Sequence, residues 1–197
     1  MPRCAIAYSG RGRLAAAIAE FFLARQSPVI GLVDRPSANR QALEALGVPV
    51  YTIRNTAEDW LHLCEREGIE CIALAGYLSL VPAEVVRRYA GRLLNSHPAL
   101  LPAFGGKGLY GRHVHAAVVA AGCAESGLTI HLVDENYDTG PILYQVRLPI
   151  AGLSVEEVEA FIQAVERAVY PAFVWRFCQS LRLTRSQNAP NSQAISP

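Results

Sequence analysis

The 197-residue sequence is short of positive charge that could be concentrated: Lys107 is its only lysine, and 18 basic residues against 17 acidic leave a formal net charge of +1. Such a chain has no basic field with which to hold a phosphate backbone, which argues against a nucleic-acid partner. Long apolar runs are missing too. The run Cys4-Ala5-Ile6-Ala7-Tyr8 stops at Ser9-Gly10, far short of the roughly 18 apolar residues a membrane span requires. It reads as a first strand, and a soluble cytoplasmic protein without a membrane partner is expected. There is no Cys-x-x-Cys pair. The five cysteines, Cys4, Cys64, Cys71, Cys123 and Cys178, are odd in number and scattered, mostly within apolar stretches. They read as buried, reduced thiols rather than a disulfide framework or a metal site. Internal repeats and interdomain linkers are also absent.

What is present is apolar: 51% hydrophobic and 18% charged residues suffice for one core. Short apolar runs at 4–8, 29–33, 48–51 and 69–75 predict strands. Between them, 14–25, 39–46 and 58–67 carry helical spacing, as in Trp60, Leu61 and Cys64. The alternation predicts an α/β fold, a Rossmann-like, mostly parallel sheet with helices on both faces. Strand-like runs at 128–133 and 142–148, joined by a polar stretch, predict an antiparallel addition or hairpin. A long helical pattern over 154–180 opens with a capping box, Ser154 and Glu157, and carries Pro171, which is expected to break or kink it near Tyr170. One domain over 1–183 is expected, and 184–197, polar with two prolines, is expected to be a disordered tail.

Ligands of open α/β sheets sit at the carboxyl ends of the strands. Three segments follow such strands: Ser9 to Arg13, Gly76 to Val81, and Asn95 to Pro98. Ser9-Gly10-Arg11-Gly12-Arg13 opens a helix, where free amides favour an anion. It fails as a dinucleotide signature, because no third glycine follows at the required place. A tight βα turn and a phosphate or carboxylate site with Arg11 and Arg13 as donors both remain open. Asn95-Ser96-His97-Pro98 sets an amide and an imidazole two residues apart on backbone stiffened by Pro98 and Pro102. Asp138, in a loop rich in turn formers, is the expected carboxylate partner, raising the histidine's pKa and fixing its ring.

Four ordered segments carry a resemblance: Asn95-Ser96-His97-Pro98-Ala99-Leu100-Leu101-Pro102, Lys107-Gly108-Leu109-Tyr110-Gly111, Glu125 to Val133, and Tyr137-Asp138-Thr139-Gly140-Pro141-Ile142-Leu143. Together they resemble the phosphoribosylglycinamide formyltransferase family, folate-dependent enzymes of purine synthesis, from Ala5 to about Leu183. The resemblance implies that Asn95, His97 and Asp138 are catalytic. It implies a 10-formyltetrahydrofolate co-substrate lying on Leu78, Ser79, Leu80 and Val81 and on the loop Asp134, Glu135, Asn136, Tyr137 and Asp138. Glu166 matches a family glutamate that contacts the amine substrate, and the turn Gly10, Arg11, Gly12 and Arg13 is the expected partner of that small-molecule amine; no metal is needed, and a monomer or homodimer is expected. In the implied chemistry Asn95 stabilises an oxyanion, and His97, held charged by Asp138, protonates the departing nitrogen.

Two departures accompany the resemblance. Ser79 stands where the family often has a basic residue. Arg13-Leu14 stands where it has a hydroxyl residue and an asparagine for the substrate phosphate. Glycinamide ribonucleotide is the leading acceptor, and another amine, such as an amino sugar or a specialised metabolite, is the alternative. A non-catalytic folate or nucleotide binder is the rival of another class, and a nicotinamide dehydrogenase is the weakest reading. His113 and His115 with His97 suggest a metal cluster but lack carboxylate spacing. His131 is either a neighbour of the site or a satisfied core residue, and His62 reads as structural. The glycine-rich stretch Gly105 to Gly111 is either a flap over the site or a surface loop.

Overall fold

The computed structural model describes residues 2–187. Five parallel strands come first: β1 (Arg3–Tyr8), β2 (Val29–Val33), β3 (Val50–Thr52), β4 (Ile69–Leu74) and β5 (Leu93–His97). β6 (Glu125–Leu132) and β7 (Ile142–Pro149) then add an antiparallel hairpin on the β5 side. The sheet order is β3-β2-β1-β4-β5-β6-β7. The helices are α1 (Arg13–Leu23), α2 (Gln41–Glu44), α3 (Ala57–Arg66), α4 (Ala83–Arg88), α5 (Arg112–Ala120) and α6 (Val155–Gln187). This is the expected α/β sheet with its antiparallel C-terminal addition. Among the described residues no helix is long and apolar enough to cross a membrane.

The alternation of side chains along β1 assigns the two faces. Cys4, Ile6 and Tyr8 pack with α1, α2 and α6, whereas Ala5 and Ala7 pack with α3 and α4. Because both faces are covered, the central strands read as unbroken apolar runs rather than as alternation. α1 turns Ala15, Ile18, Ala19 and Phe22 inward, the i, i+3, i+4, i+7 stripe of a helix with one covered face. α3 starts where the Thr56 side chain accepts from the Asp59 amide, and Glu58 and Asp59 face the positive end of the helix dipole.

α6 begins with the expected capping box: the Ser154 amide donates to Glu157 at 2.8 Å, and the Glu157 amide donates to Ser154 Oγ at 3.3 Å. The break expected at Pro171 does not occur, since the helix runs through it to Gln187. An interior proline costs about 3 kcal/mol. Fully burying a large apolar side chain returns about 1.5–3 kcal/mol, and Tyr170, Val174 and Cys178 are all buried on the sheet immediately around and beyond the proline. Tertiary packing therefore outweighs the local penalty. The boundary expected after Leu183 falls inside this helix, and 188–197 lie outside the described residues.

The strand order reverses between β1 and β4, and the loops leaving these strands meet there. The Ala75 amide donates to Ala7 O at 2.8 Å and the Ser9 amide to Gly76 O at 3.1 Å. Such a switch point leaves a crevice at the strand ends.

Candidate active site

The crevice holds a cavity of about 540 Å³, within the range of small-molecule sites. β5 supplies its polar centre. Asn95, Ser96 and His97 all border the cavity; Asn95 and His97 share one face of the strand, and the Ser96 hydroxyl, on the other, donates at 2.6 Å to Oε1 of Glu166, which also borders it. Antiparallel pairing sets His131 of β6 directly opposite Asn95. Asp138 comes from the loop between β6 and β7. Its φ of 58° is left-handed, a conformation an aspartate tolerates at some cost. The loop is pinned at Gly140, where an added Cβ would lie 1.9 Å from the Leu132 carbonyl oxygen. Only glycine permits that approach, and it sets the entry of the chain into β7.

These four side chains share one network. His97 Nδ1 is 3.5 Å from Asp138 Oδ2, and His131 Nε2 is 3.6 Å from Asp138 Oδ1. The Gly106 amide donates to Asp138 Oδ2 at 3.0 Å. Asn95 Nδ2 lies 3.2 Å from His131 Nε2 and 3.4 Å from Asp138 Oδ1. His131 Nδ1 faces the Leu132 carbonyl oxygen at 2.8 Å, and a carbonyl can only accept. A neutral His131 therefore carries its proton on Nδ1 and offers Nε2 as acceptor to the Asn95 amide. At rest both Asn95 Nδ2 hydrogens are engaged, and the longer contact to Asp138 is the one easily exchanged for a developing oxyanion.

His97 corrects an expectation. Burial pushes its pKa below the ordinary 6.5, outweighing the Asp138 carboxylate and the Phe104 carbonyl, which pull it up. The imidazole is thus neutral at neutral pH rather than held charged by Asp138, and Nε2–H donates to Phe104 O at 2.8 Å. For Asp138 itself, burial pushes the pKa up, but the neighbouring His131 and His97 imidazoles and the Gly106 amide leave it lowered, so the carboxylate stays ionised.

The remaining candidates divide. Leu78, Ser79, Leu80 and Val81 line the cavity, as do Asn136 and Tyr137. The first segment is braced from behind, by Leu78 N donating to Ser9 Oγ and Asn55 Nδ2 to Leu80 O. Ser79 ties down to a buried neighbour, its hydroxyl donating to Asp34 Oδ2 at 2.6 Å. Asp134 and Glu135 do not line the cavity. Asp134 closes its own turn, accepting from Asn136 N and Thr139 Oγ1, and Glu135 pairs with Arg87 of α4. Glu166 faces the cavity, and burial pushes its carboxyl up to about 7. It is not an exposed helical carboxylate.

Gly10, Arg11, Gly12 and Arg13 form the turn into α1, but only the next residue, Leu14, lines the cavity. Gly12 is left-handed, with φ 71°, and sits against Ala42 and Tyr8. Arg11 and Arg13 are exposed and have no ion-pair partner among the described residues. His113 and His115 diverge, as residues two apart on a helix must. His113 is exposed against the Tyr110 ring, whereas His115 is buried at the cavity wall. Sequence reasoning missed Ser9 and Asp34 as braces and His115 as a lining residue. Their roles depend on partners distant in the chain, which no local pattern reveals. Of the Gly105 to Gly111 stretch, Gly106 to Gly111 border the cavity, so it is more than a plain surface loop.

The formyl transferase family model matches residues 11–174. The chain is 40% identical over 157 residues to a chloroplastic phosphoribosylglycinamide formyltransferase of Arabidopsis thaliana, covering 79% of this chain and 50% of that protein. It is 33% identical over 152 residues to the phosphoribosylglycinamide formyltransferase of Escherichia coli, covering 73% and 69%. The chain thus spans about half the length of the plant relative. A crystal structure of phosphoribosylglycinamide formyltransferase from Bacillus halodurans superposes with a TM-score of 0.78 at 33% identity, covering 87% of this chain and 93% of that one. The cavity at the switch point, with Asn95, His97 and Asp138 gathered in it, is therefore carried by a chain that belongs to the formyl transferase family.

Proposed function

We propose that the protein transfers a formyl group from 10-formyltetrahydrofolate to the primary amine of glycinamide ribonucleotide, a step of purine synthesis in the cytoplasm. The observation that carries this reading is the convergence of Asn95, His97 and Asp138 within one cavity. The names of the Arabidopsis thaliana and Escherichia coli relatives support the acceptor.

The geometry suits the chemistry. The amine attacks the formyl carbon, the carbonyl oxygen becomes an oxyanion, and the bond to N10 breaks. One proton must move from the attacking nitrogen to N10. Asn95 Nδ2 releases its long contact with Asp138 and donates to the oxyanion. His97, neutral at rest, accepts the amine proton and passes it to N10, its transient charge stabilised by the Asp138 carboxylate. The reaction needs no metal and no covalent nucleophile. The folate lies along the apolar Leu78, Leu80 and Val81 with Asn136 and Tyr137 opposite, and Glu166 faces the amine substrate.

One observation favours a second acceptor. The turn expected to hold a phosphate presents Leu14 to the cavity, and its arginines are exposed. Incubation with the formyl donor and glycinamide ribonucleotide decides the matter. Formylation of that amine supports the first reading; formylation of an amino sugar or another amine instead supports the second. Tight folate binding without transfer to any amine identifies a silent binder.

A further inference from the structure

Away from the cavity, three cysteines far apart in sequence meet. Cys4 on β1 and Cys71 on β4 are partners across a parallel strand pair and present their side chains to the same face. α6 lays Cys178 on that face, and the three Sγ atoms lie within 4.8 Å of one another. None of the three residues has exposed surface.

A cluster of buried thiols is ordinarily no more than small apolar filling. One further feature sets this one apart. Tyr170, two turns earlier on α6, is fully buried, and its hydroxyl has no hydrogen-bond partner. It belongs to the same buried cluster as the three cysteines, so an oxygen with uncommitted lone pairs shares their core. Leaving such a group unsatisfied costs about 1–3 kcal/mol.

We propose that Cys4, Cys71 and Cys178 bind one thiophilic d10 metal ion of the Zn(II) or Cu(I) class, with the Tyr170 hydroxyl as the oxygen available to complete the shell. Zinc–thiolate bonds of about 2.3 Å set sulfurs roughly 3.8–4.0 Å apart, so small side-chain rotations from the present triangle suffice. Binding is redox-neutral: each coordinating thiol releases its proton to solvent, and the metal–sulfur bonds replace the S–H bonds. The site is closed to water, hence structural. It clamps β1, β4 and α6 together and takes no part in formyl transfer.

The test is anaerobic titration of the reduced full-length protein with Cd(II), following thiolate-to-cadmium absorption and the melting temperature. Saturation at one ion per chain, with the intensity of three thiolates and a raised melting temperature, is expected. Cys178→Ala should weaken binding by on the order of a hundred-fold, the upper scale of losing even an outer partner of a metal ligand, while Cys123→Ser should bind as the parent does. A measurement on the unmodified protein makes the result independent of how Cys178→Ala folds. During partial unfolding, cadmium should protect Cys4, Cys71 and Cys178 from alkylation and leave Cys64 and Cys123 reactive. Absence of the absorption band, or protection centred on Cys64 or Cys123, overturns the proposal.

Discussion

Asn95 is committed twice in the resting site, to His131 at 3.2 Å and to Asp138 at 3.4 Å. His97 is committed to the Phe104 carbonyl. In the proposed mechanism these residues exchange weak contacts for stronger ones that form only as charge develops. Removing one oxyanion donor typically costs about 10²–10³ in turnover. His97→Ala should therefore lower kcat by at least about that factor in steady-state assays, with KM for the folate little changed. The direction of the His97 shift adds a pH dependence. Because burial depresses its pKa below 6.5, the base form persists at neutral pH, and kcat/KM should fall on the acid side only below 6.5. A pH–rate profile with an acid limb above that value contradicts the assignment.

Glu166 titrates in the opposite sense. Its folded pKa is raised from 4.5 to about 7, so the folded state holds the proton more tightly than the unfolded chain. Its contribution to stability is therefore complete below 4.5 and is lost as pH rises towards 7. Glu166→Gln should flatten the stability profile in this window, as read by denaturant midpoints across pH. An unchanged profile would show that the carboxyl is already ionised. None of this was legible in the residues one at a time. That His97 belongs to the site followed from its motif, but its charge state depended on the balance between burial and a carboxylate some forty residues away, which only the fold sets.

Among the elements, the loop between β6 and β7 carries the most consequence for its size. It presents Asp138, and it is anchored where Gly140 touches the β6 backbone at Leu132. Gly140→Ala should cost about 1–3 kcal/mol through forced displacement. It should also reduce turnover by moving Asp138 away from His97; denaturation curves and rate assays on the same sample check both. The α6 cap makes a milder prediction: Ser154→Ala removes one partner of the capping box and should cost about 1 kcal/mol with activity intact. Strands such as β2 were legible because an unbroken apolar run admits few other structures. α4, only six residues long and following Pro82, gave too little periodicity to be read, and α5 follows a glycine-rich stretch that masks its start. The run of α6 through Pro171 was misread for a different reason: the local rule is sound, but burial of Tyr170, Val174 and Cys178 overrides it.

For the whole molecule, the reversal of strand order between β1 and β4 collects the ends of β1, β4 and β5 around one crevice. Covered faces keep the sheet rigid while the loops above it vary, and here the variation lies at the turn into α1, where Leu14 and two exposed arginines stand. The proposed mechanism thus assigns the chemistry of the site and the choice of amine to different elements. The most direct measurement is the transfer of labelled formyl carbon from 10-formyltetrahydrofolate to glycinamide ribonucleotide, by the unmodified protein and by Asn95→Ala. The account predicts formylated amine and tetrahydrofolate in equal amounts from the first, and a rate lower by about 10²–10³ from the second. Folate binding without formylated product, or an Asn95→Ala protein as fast as its parent, contradicts it.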